Sequence, residues 1–290
     1  MRWLVIGKTG QLARALQAEL GAASSAVFLD REALDLEAID HDVLWERVQQ
    51  ADCVIIAAAD TAVDAAETHA ERAMAVNADA PRAIARAAFK AGVPVVHLST
   101  DYVFDGTMRT PYPPDARTHP VNAYGRSKMK GERAVLLAQP RAAVLRTSWV
   151  YDTQGRNFVT TMLRLGAERE RLRVVADQIG RPTRARDLAR ACLTVGRALH
   201  EGHPGASGIF HVTNTGEPTS WAGFARAVFA AAGMDTQVED IPSADYPQAA
   251  TRPAFSVLDT TKFERTFGTV LPDWREALQS ALASWDGAAP

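Results

Sequence analysis

Short, continuously apolar runs alternate with helical segments along the first half of the chain. The segments between the runs carry Leu or Ala at helical spacing. A strand that is apolar throughout is typical of a parallel sheet covered on both faces, and right-handed crossovers then predict a Rossmann-like, doubly wound α/β sandwich. The apolar runs are residues 2–6, 27–29, 52–59, 93–98 and 143–145, and the helical segments are 11–20, 38–50, 66–91 and 127–138.

A glycine-containing turn follows the first predicted strand. Gly7 permits a tight turn, Gly10 lets the backbone approach a pyrophosphate, and Ala13 is small enough for a helix to pack on the strand. The amino end of the next helix offers free N–H groups and the positive end of its dipole to an anion. This context favours a dinucleotide site over a plain glycine turn, and its predicted residues are Gly7, Thr9, Gly10, Gln11 and Leu12.

The second predicted strand ends at an acidic residue. Asp30 lies 20 residues after Gly10, where a carboxylate accepts hydrogen bonds from the adenine ribose of NAD. Arg31 follows directly and tolerates a 2′-phosphate, so both NADH and NADPH stay open as cofactors. Asp35 and Leu36 are predicted to border the adenine, although Asp35 is equally suited to cap the next helix.

Tyr124 and Lys128 are four residues apart, so on a helix they share one face. A phenol keeps its proton at neutral pH, and a nearby ammonium lowers its pKa. The pair therefore suits proton donation to a ketone oxygen while carbon accepts a hydride. Since such a pair is common on solvent-facing helices, the spacing alone does not establish this chemistry.

Hydroxyl groups end the fourth predicted strand, at Ser99 and Thr100. Ligands of open α/β sheets bind beyond the carboxyl ends of the strands, so we expect one of these hydroxyls in the cleft that Tyr124 faces. A hydroxyl that only satisfies a backbone group at the strand end is the alternative.

Longer motifs resemble the dTDP-4-dehydrorhamnose reductase family, within the extended short-chain dehydrogenase/reductase superfamily. They occur in the family's order and cover nearly the whole chain. The motifs lie at 7–13, 57–67, 99–106, 124–132, 146–151, 157–165 and 177–183, with shorter matches at 243–247, 252–253 and 271–274.

The resemblance implies an NAD(P)H-dependent oxidoreductase of carbohydrate biosynthesis. It would reduce the 4-keto group of dTDP-4-dehydro-L-rhamnose to dTDP-L-rhamnose, a precursor of cell-surface polysaccharides such as lipopolysaccharide O-antigen. Tyr124 would donate the proton, and Lys128 would be its pKa partner and a ligand of the nicotinamide ribose. Thr100 would polarise the keto oxygen or tune Tyr124, and Asp101 would lie beside the sugar.

The resemblance also implies residues around the two ligands. Ala59, Asp60 and Thr61 would line the cofactor. Trp149 would border the substrate, although a core aromatic between lobes is the alternative. Arg252 would bind the substrate diphosphate, and a surface ion pair is an equally weighted alternative for this residue.

Two departures from the family pattern affect these expectations. Asp60 stands where the family often has His, which puts a negative charge near the cofactor. Some relatives are metal-linked dimers that use an acidic residue of the first helix, but this chain has Arg14-Ala15 there. We therefore expect no metal site, and a monomer or a homodimer.

Two other functions remain as alternatives. An epimerase or dehydratase of the superfamily is one, although dehydratases need an acid pair near the strand-end Thr, and Tyr102 follows Thr100-Asp101 here. A non-catalytic regulatory subunit is the other, and the intact set of Thr100, Tyr124 and Lys128 argues against it.

The pattern loosens after Tyr151, which suggests a second lobe. We expect residues 1–150 plus about 176–215 to form the NAD(P)-binding domain, and about 151–175 plus 216–290 to form a substrate-binding lobe. A helix at 185–200 and a strand at 209–212 would return to the main sheet.

Composition excludes several classes of partner. Lys and Arg number 32 against 34 Asp and Glu, so the chain has no broad basic field for nucleic acid. The longest clean apolar run, Cys53 to Ala59, is far short of a membrane span. The chain opens directly on the first strand, so we expect no signal peptide and a cytoplasmic location.

Overall fold

The computed structural model describes residues 1–21, 25–283 and 285. Its strands are β1 (Trp3–Ile6), β2 (Ala26–Leu29), β3 (Cys53–Ile56), β4 (Val95–Thr100), β5 (Ala142–Thr147), β6 (Val150–Tyr151), β7 (Arg171–Val175), β8 (Ile179–Gly180), β9 (Thr183–Arg184), β10 (Gly208–His211), β11 (Thr219–Ser220) and β12 (Gln237–Ile241).

Six of these strands form one parallel sheet in the order β10-β5-β4-β3-β1-β2. The strand β1 lies between β2 and β3, so the chain reverses its direction of winding at this point. Open α/β sheets bind ligands beyond the carboxyl ends of the strands at such a switch point. The doubly wound α/β fold predicted from the sequence is confirmed, and it places a crevice beside the carboxyl end of β1.

The α-helices are α1 (Gln11–Leu20), α2 (His41–Val48), α3 (Ala65–Thr68), α4 (Ala70–Met74), α5 (Ala80–Ala91), α6 (Ala123–Ala138), α7 (Phe158–Glu168), α8 (Ala185–His200), α9 (Trp221–Ala232), α10 (Thr261–Phe267) and α11 (Trp274–Leu282). None of the helices in the described residues is long and apolar enough to cross a membrane.

Helices cover both faces of the main sheet. On one face, Leu16 of α1 and Leu188 of α8 pack in a cluster with Val5. On the other face, Ile84 of α5 and Val135 of α6 belong to a second cluster. This two-sided burial explains why β1 and β3, in the middle of the sheet, are apolar throughout, because all their residues are buried.

A separate core lies in the C-terminal half. Tyr151, Val159, Phe224 and Trp274 belong to it, together with residues of β7, α9 and α11. The strands β7 and β12 pair in parallel beside this core. These elements fall within the predicted substrate-binding lobe, whose exact division from the first domain stays a prediction and whose last residues, 286–290, lie outside the described part.

Two segments differ from their predicted form. The region 66–91 is not one helix, because α3 and α4 are followed by a π-helical turn, Ala75–Asp79, before α5 begins. The helix predicted from 127 begins at Ala123, because the side chain of Asn122 accepts a hydrogen bond from the Gly125 N–H and caps its amino end. Tyr124 therefore lies in the first turn of α6.

Candidate active site

A cleft of about 570 Å³ opens at the carboxyl ends of the central strands. Every residue predicted to bind the cofactor lines it, from the glycine turn after β1 to Tyr124 and Lys128 on α6. The cleft thus brings together residues that are more than a hundred positions apart in the chain, and it lies where the order of the sheet predicts a ligand.

The glycine turn forms the floor of the cleft. Gly7 has a φ of 113°, in the region that favours glycine, and a Cβ there would lie 3.1 Å from the Ala58 nitrogen. At Gly10 a Cβ would have no heavy atom within 4 Å, so this side of the turn is open to a ligand. No side chain caps the amino end of α1. These observations fit a pyrophosphate on the turn and the free N–H groups of the helix.

The acidic residue at the end of β2 is held by a cation of the glycine turn. Lys8 Nζ lies 3.0 Å from Asp30 Oδ2, and the hydrogen bond from Lys8 is the main cause that lowers the pKa of Asp30 below its usual range. Asp35 does not cap the next helix, because its carboxylate accepts from the Glu37 N–H while Asp40 caps α2. Asp30 and Asp35 both present carboxylate acceptors to the cleft wall.

A buried asparagine fixes the loop after β3. The Asp60 N–H donates to Asn77 Oδ1, and Asn77 Nδ2 donates to the Asp60 carbonyl, both at 2.9 Å. The same Nδ2 lies 2.9 Å from Ser127 Oγ on α6. The sequence did not point to Asn77, and the only signal was an amide side chain within an Ala-rich helical stretch.

Tyr124 and Lys128 lie on the buried face of α6 and border the cleft. Lys128 Nζ donates a hydrogen bond of 2.6 Å to the Leu98 carbonyl at the end of β4. Burial lowers the pKa of Lys128 to about 8, and the carboxylate of Glu132 opposes that shift. The Lys128 ammonium therefore loses its proton more readily than a lysine in water. Its nitrogen is hydrogen-bonded to the strand beside the cleft.

The electrostatics of Tyr124 differ from the sequence expectation. Burial raises the pKa of its phenol above the usual value, Asp101 and Asp60 raise it further, and a hydrogen bond with Thr100 lowers it. The Lys128 ammonium, which was expected to lower this pKa, donates instead to the Leu98 carbonyl. The phenol is thus held firmly in its protonated form.

The hydroxyls that end β4 have different partners. Ser99 lines the cleft but donates to Glu132 Oε1 at 2.5 Å. Thr100 is equally buried but does not line the cleft, and its Oγ1 donates to Asp101 Oδ1 at 3.0 Å. Burial raises the pKa of Asp101 to about 6, while hydrogen bonds with Ser256 and Thr100 lower it. Thr100 is thus the strand-end hydroxyl that meets Tyr124.

A buried ion pair lies behind these groups, and sequence reasoning did not single it out. Glu132 accepts two hydrogen bonds of 2.8 Å from Arg146, and both side chains are almost fully buried. Since Glu132 is one turn beyond Lys128, the pair joins α6 to β5 close to the cleft. The sequence could have indicated this pair only through a charged residue within an otherwise apolar stretch, as Arg146 is within the strand β5.

The residues predicted for the substrate lie outside the cleft wall described above. Trp149 has a φ of 48° and stacks on Trp221 with ring centroids 3.6 Å apart. Arg252 makes hydrogen bonds of 2.9 and 2.6 Å to the two carboxylate oxygens of Asp64. Asp101 is buried beside Thr100. Their roles toward a substrate stay predictions.

The chain is similar to known proteins along nearly its whole length. Residues 1–286 match the family model described as RmlD substrate binding domain. A dTDP-4-dehydrorhamnose reductase of Sinorhizobium fredii is 46% identical over 282 residues, which cover 96% of this chain and 95% of that protein.

Solved structures agree with these matches. A dTDP-4-dehydrorhamnose reductase from Clostridium acetobutylicum superposes with a TM-score of 0.91 and 35% identity, over 98% of this chain and 99% of that one. The enzyme from Bacillus anthracis, solved in complex with NADP, has a TM-score of 0.90 and 35% identity, over 97% and 98% of the two chains.

Proposed function

Because the chain belongs to the dTDP-4-dehydrorhamnose reductase family, with the family's NAD(P)H-dependent activity in dTDP-L-rhamnose biosynthesis, we propose that Tyr124, Lys128 and Thr100 carry out its reaction. The substrate is dTDP-4-dehydro-L-rhamnose, and its 4-keto group becomes the hydroxyl of dTDP-L-rhamnose. The observation that supports the site is a buried phenol, beside Thr100 and on the same helix face as Lys128, on the wall of a cleft whose floor is the glycine turn.

The chain's residues divide the work of the reaction. A bound reduced nicotinamide supplies the hydride that adds to the carbonyl carbon. Tyr124 donates its phenolic proton to the carbonyl oxygen, and Thr100 orients that phenol through its hydrogen bond. Lys128 anchors the nicotinamide ribose, and it lies on the same buried face of α6 as the phenolate that proton transfer leaves behind.

The nucleotide ends of both ligands are assigned to other residues. Gly7, Gly10 and the amino end of α1 hold the pyrophosphate, and Asp30 accepts from the adenine ribose. Arg252 binds the substrate diphosphate, and its guanidinium geometry suits a phosphate as well as it suits Asp64. Trp149 covers an apolar face of the substrate.

We also propose that the enzyme works in the cytoplasm, as a monomer or a homodimer. Cys53 and Cys192 are both buried free thiols, which suits a reducing compartment.

The test is oxidation of NADH or NADPH that depends on dTDP-6-deoxy-L-lyxo-4-hexulose, with wild type and Tyr124→Phe. We expect the variant to bind cofactor normally and to lose about 10²- to 10⁴-fold of kcat, because it has no proton to give. Tyr246→Phe, on an exposed tyrosine, is the matched control and should keep its rate.

Near-normal turnover by Tyr124→Phe would contradict the assignment of the proton donor. Absence of turnover by the wild type with every 4-keto nucleotide sugar, together with tight binding to another protein, would instead favour a regulatory subunit.

A further inference from the structure

A network of charged side chains closes the end of the cleft beyond β2. Arg31 and Arg72 supply cations, and Asp35, Glu37 and Asp60 supply carboxylates, and all five line the cleft. The network begins one residue after Asp30, at the end where the adenine ribose is expected. The 2′ substituent of that ribose, a hydroxyl in NADH or a phosphate in NADPH, would therefore lie next to these charges.

Arg31 is placed to recognise a 2′-phosphate, because an arginine near the end of β2 accommodates that group in dinucleotide-binding folds. Its guanidinium is already engaged by carboxylates. Arg31 Nη2 donates to Glu37 Oε1 at 2.8 Å, and its Nε lies 3.4 Å from Asp35 Oδ2. A phosphate at this position would have to compete with both acids.

Arg72, which reaches the same place from α4, has the same partner. Its Nε donates to Glu37 Oε1 at 3.1 Å and lies 3.9 Å from Asp60 Oδ2. A single oxygen of Glu37 thus bridges two guanidinium groups that come from different parts of the chain. Among the acids of the network, Glu37 alone pairs with both arginines.

The balance of charge also opposes a phosphate at this end. With Lys8 and Asp30 included, three cations face four carboxylates, so the region carries one more negative charge than positive. A 2′-phosphate would add further negative charge, whereas a 2′-hydroxyl adds none and donates to Asp30.

We propose that Glu37 determines cofactor specificity and makes this cleft favour NADH over NADPH. Its carboxylate occupies the guanidinium groups of Arg31 and Arg72 that a 2′-phosphate would need. The inference rests on the proposed function, because it concerns the cofactor end of the same cleft. Glu37 is a specificity residue and not a catalytic one, because it lies at the adenine end of the cleft and pairs with Arg31 and Arg72.

The experiment measures binding of NADH and of NADPH separately, by nucleotide fluorescence at one fixed salt concentration and without sugar substrate. Wild type should bind NADH more tightly. Glu37→Gln should tighten NADPH binding by about tenfold, the value of one charge-assisted contact regained, and change NADH binding by less than about twofold.

Glu32→Gln is the matched control, because Glu32 lies in the turn directly after Asp30, is exposed and does not line the cleft. It removes the same charge and should leave the ratio of the two dissociation constants unchanged. The double variant Glu37→Gln/Arg31→Gln should lose the gain in NADPH affinity.

Three results would overturn the inference: a wild type that prefers NADPH, a ratio unaffected by Glu37→Gln, or an equal shift in Glu32→Gln. If wild type binds neither nucleotide, the proposed function itself fails. If both nucleotides bind and support turnover but Glu37→Gln changes nothing, only the specificity inference fails.

Discussion

In the proposed reaction Tyr124 keeps its proton until the carbonyl oxygen accepts it, and burial favours that protonated state. A buried phenol is more strongly protonated than one in water, and burial is the largest cause of the raised pKa of Tyr124. Lys128, one helical turn away, is itself destabilised as an ammonium, since burial lowers its pKa. Burial therefore favours the neutral phenol of Tyr124 and makes the Lys128 ammonium a stronger acid than a lysine in water.

The pKa of Lys128 predicts how stability depends on pH. In the unfolded chain a lysine keeps its proton up to a pKa of about 10.4, whereas the folded value is about 8. Above pH 8 the unfolded state binds more protons than the folded state, so stability from this group rises with pH. Relative to Lys128→Met, the wild type should gain about 1 kcal/mol of unfolding free energy between pH 8 and 9.

Urea unfolding of both proteins at several pH values checks this prediction, because groups common to both cancel in the difference. Lys130→Met replaces an exposed lysine of the same helix and should show no such change with pH. Parallel curves for the wild type and Lys128→Met would show that the folded pKa is not lowered.

Single residues were predictable where a local pattern carries the chemistry. The glycine turn, Asp30, Tyr124 and Lys128 all line the cleft as expected. The positions of Glu37 and Arg72 were not predictable, because the two meet across 35 residues and no spacing rule joins them. The hydrogen bond from the Lys128 ammonium to the Leu98 carbonyl was not predictable either, because it depends on the backbone of a neighbouring strand.

At the scale of elements, α6 is positioned by a close approach to the π-helical turn. A Cβ at Gly131 would overlap the carbonyl oxygen of Asn77 in that turn, and no flexible side chain is there to move aside. Asn77 holds both Ser127 of α6 and the backbone of Asp60. The contact thus sets the distance between α6, which carries the proposed catalytic pair, and the cofactor loop after β3.

Gly131→Ala should destabilise the protein by about 2 kcal/mol or more, because the added methyl group forces α6 away from the turn. The sign of this change in unfolding free energy is informative, because Gly→Ala in a helix with open space around the glycine stabilises by about 1 kcal/mol. Denaturant unfolding measures the loss, and the same variant should weaken NADH binding.

Leu137→Ala is the control on the same helix. Leu137 is 87% exposed, and its truncation should change stability by less than about 0.5 kcal/mol. A Gly131→Ala protein as stable as the wild type would mean that α6 is free to shift.

Elements with strong apolar periodicity were predictable, and the strands of the main sheet are at their expected places. The stretch 66–91 was not, because an Ala-rich segment has helical character throughout and gives no sign of a break. The π turn depends on hydrogen bonds from Asn77 to residues 17 and 50 positions away, which lie beyond the reach of local pattern.

On the scale of the whole molecule, a late segment of the chain returns to the proposed active site. The carbonyl of Thr251 accepts a 2.8 Å hydrogen bond from Asn122, which caps α6. Ser256 is near enough to Asp101 to lower the pKa of that carboxyl, and Arg252 pairs with Asp64 beside α3. Residues 251–256 therefore link the C-terminal half to the elements that carry Tyr124 and Thr100.

Two roles of Arg252 can be separated through its partner. If Arg252 binds the substrate diphosphate, Arg252→Gln should raise KM for the dTDP sugar by about tenfold, because a charge-assisted contact is lost, and should leave NADH binding unchanged. Asp64→Asn removes the competing carboxylate but keeps the guanidinium, so its KM should stay equal or fall. A purely structural ion pair predicts the opposite relation: both variants would lose stability and raise KM together. Steady-state kinetics and thermal unfolding of the two variants, measured in parallel, therefore decide whether the link between the two halves of the molecule also serves the substrate.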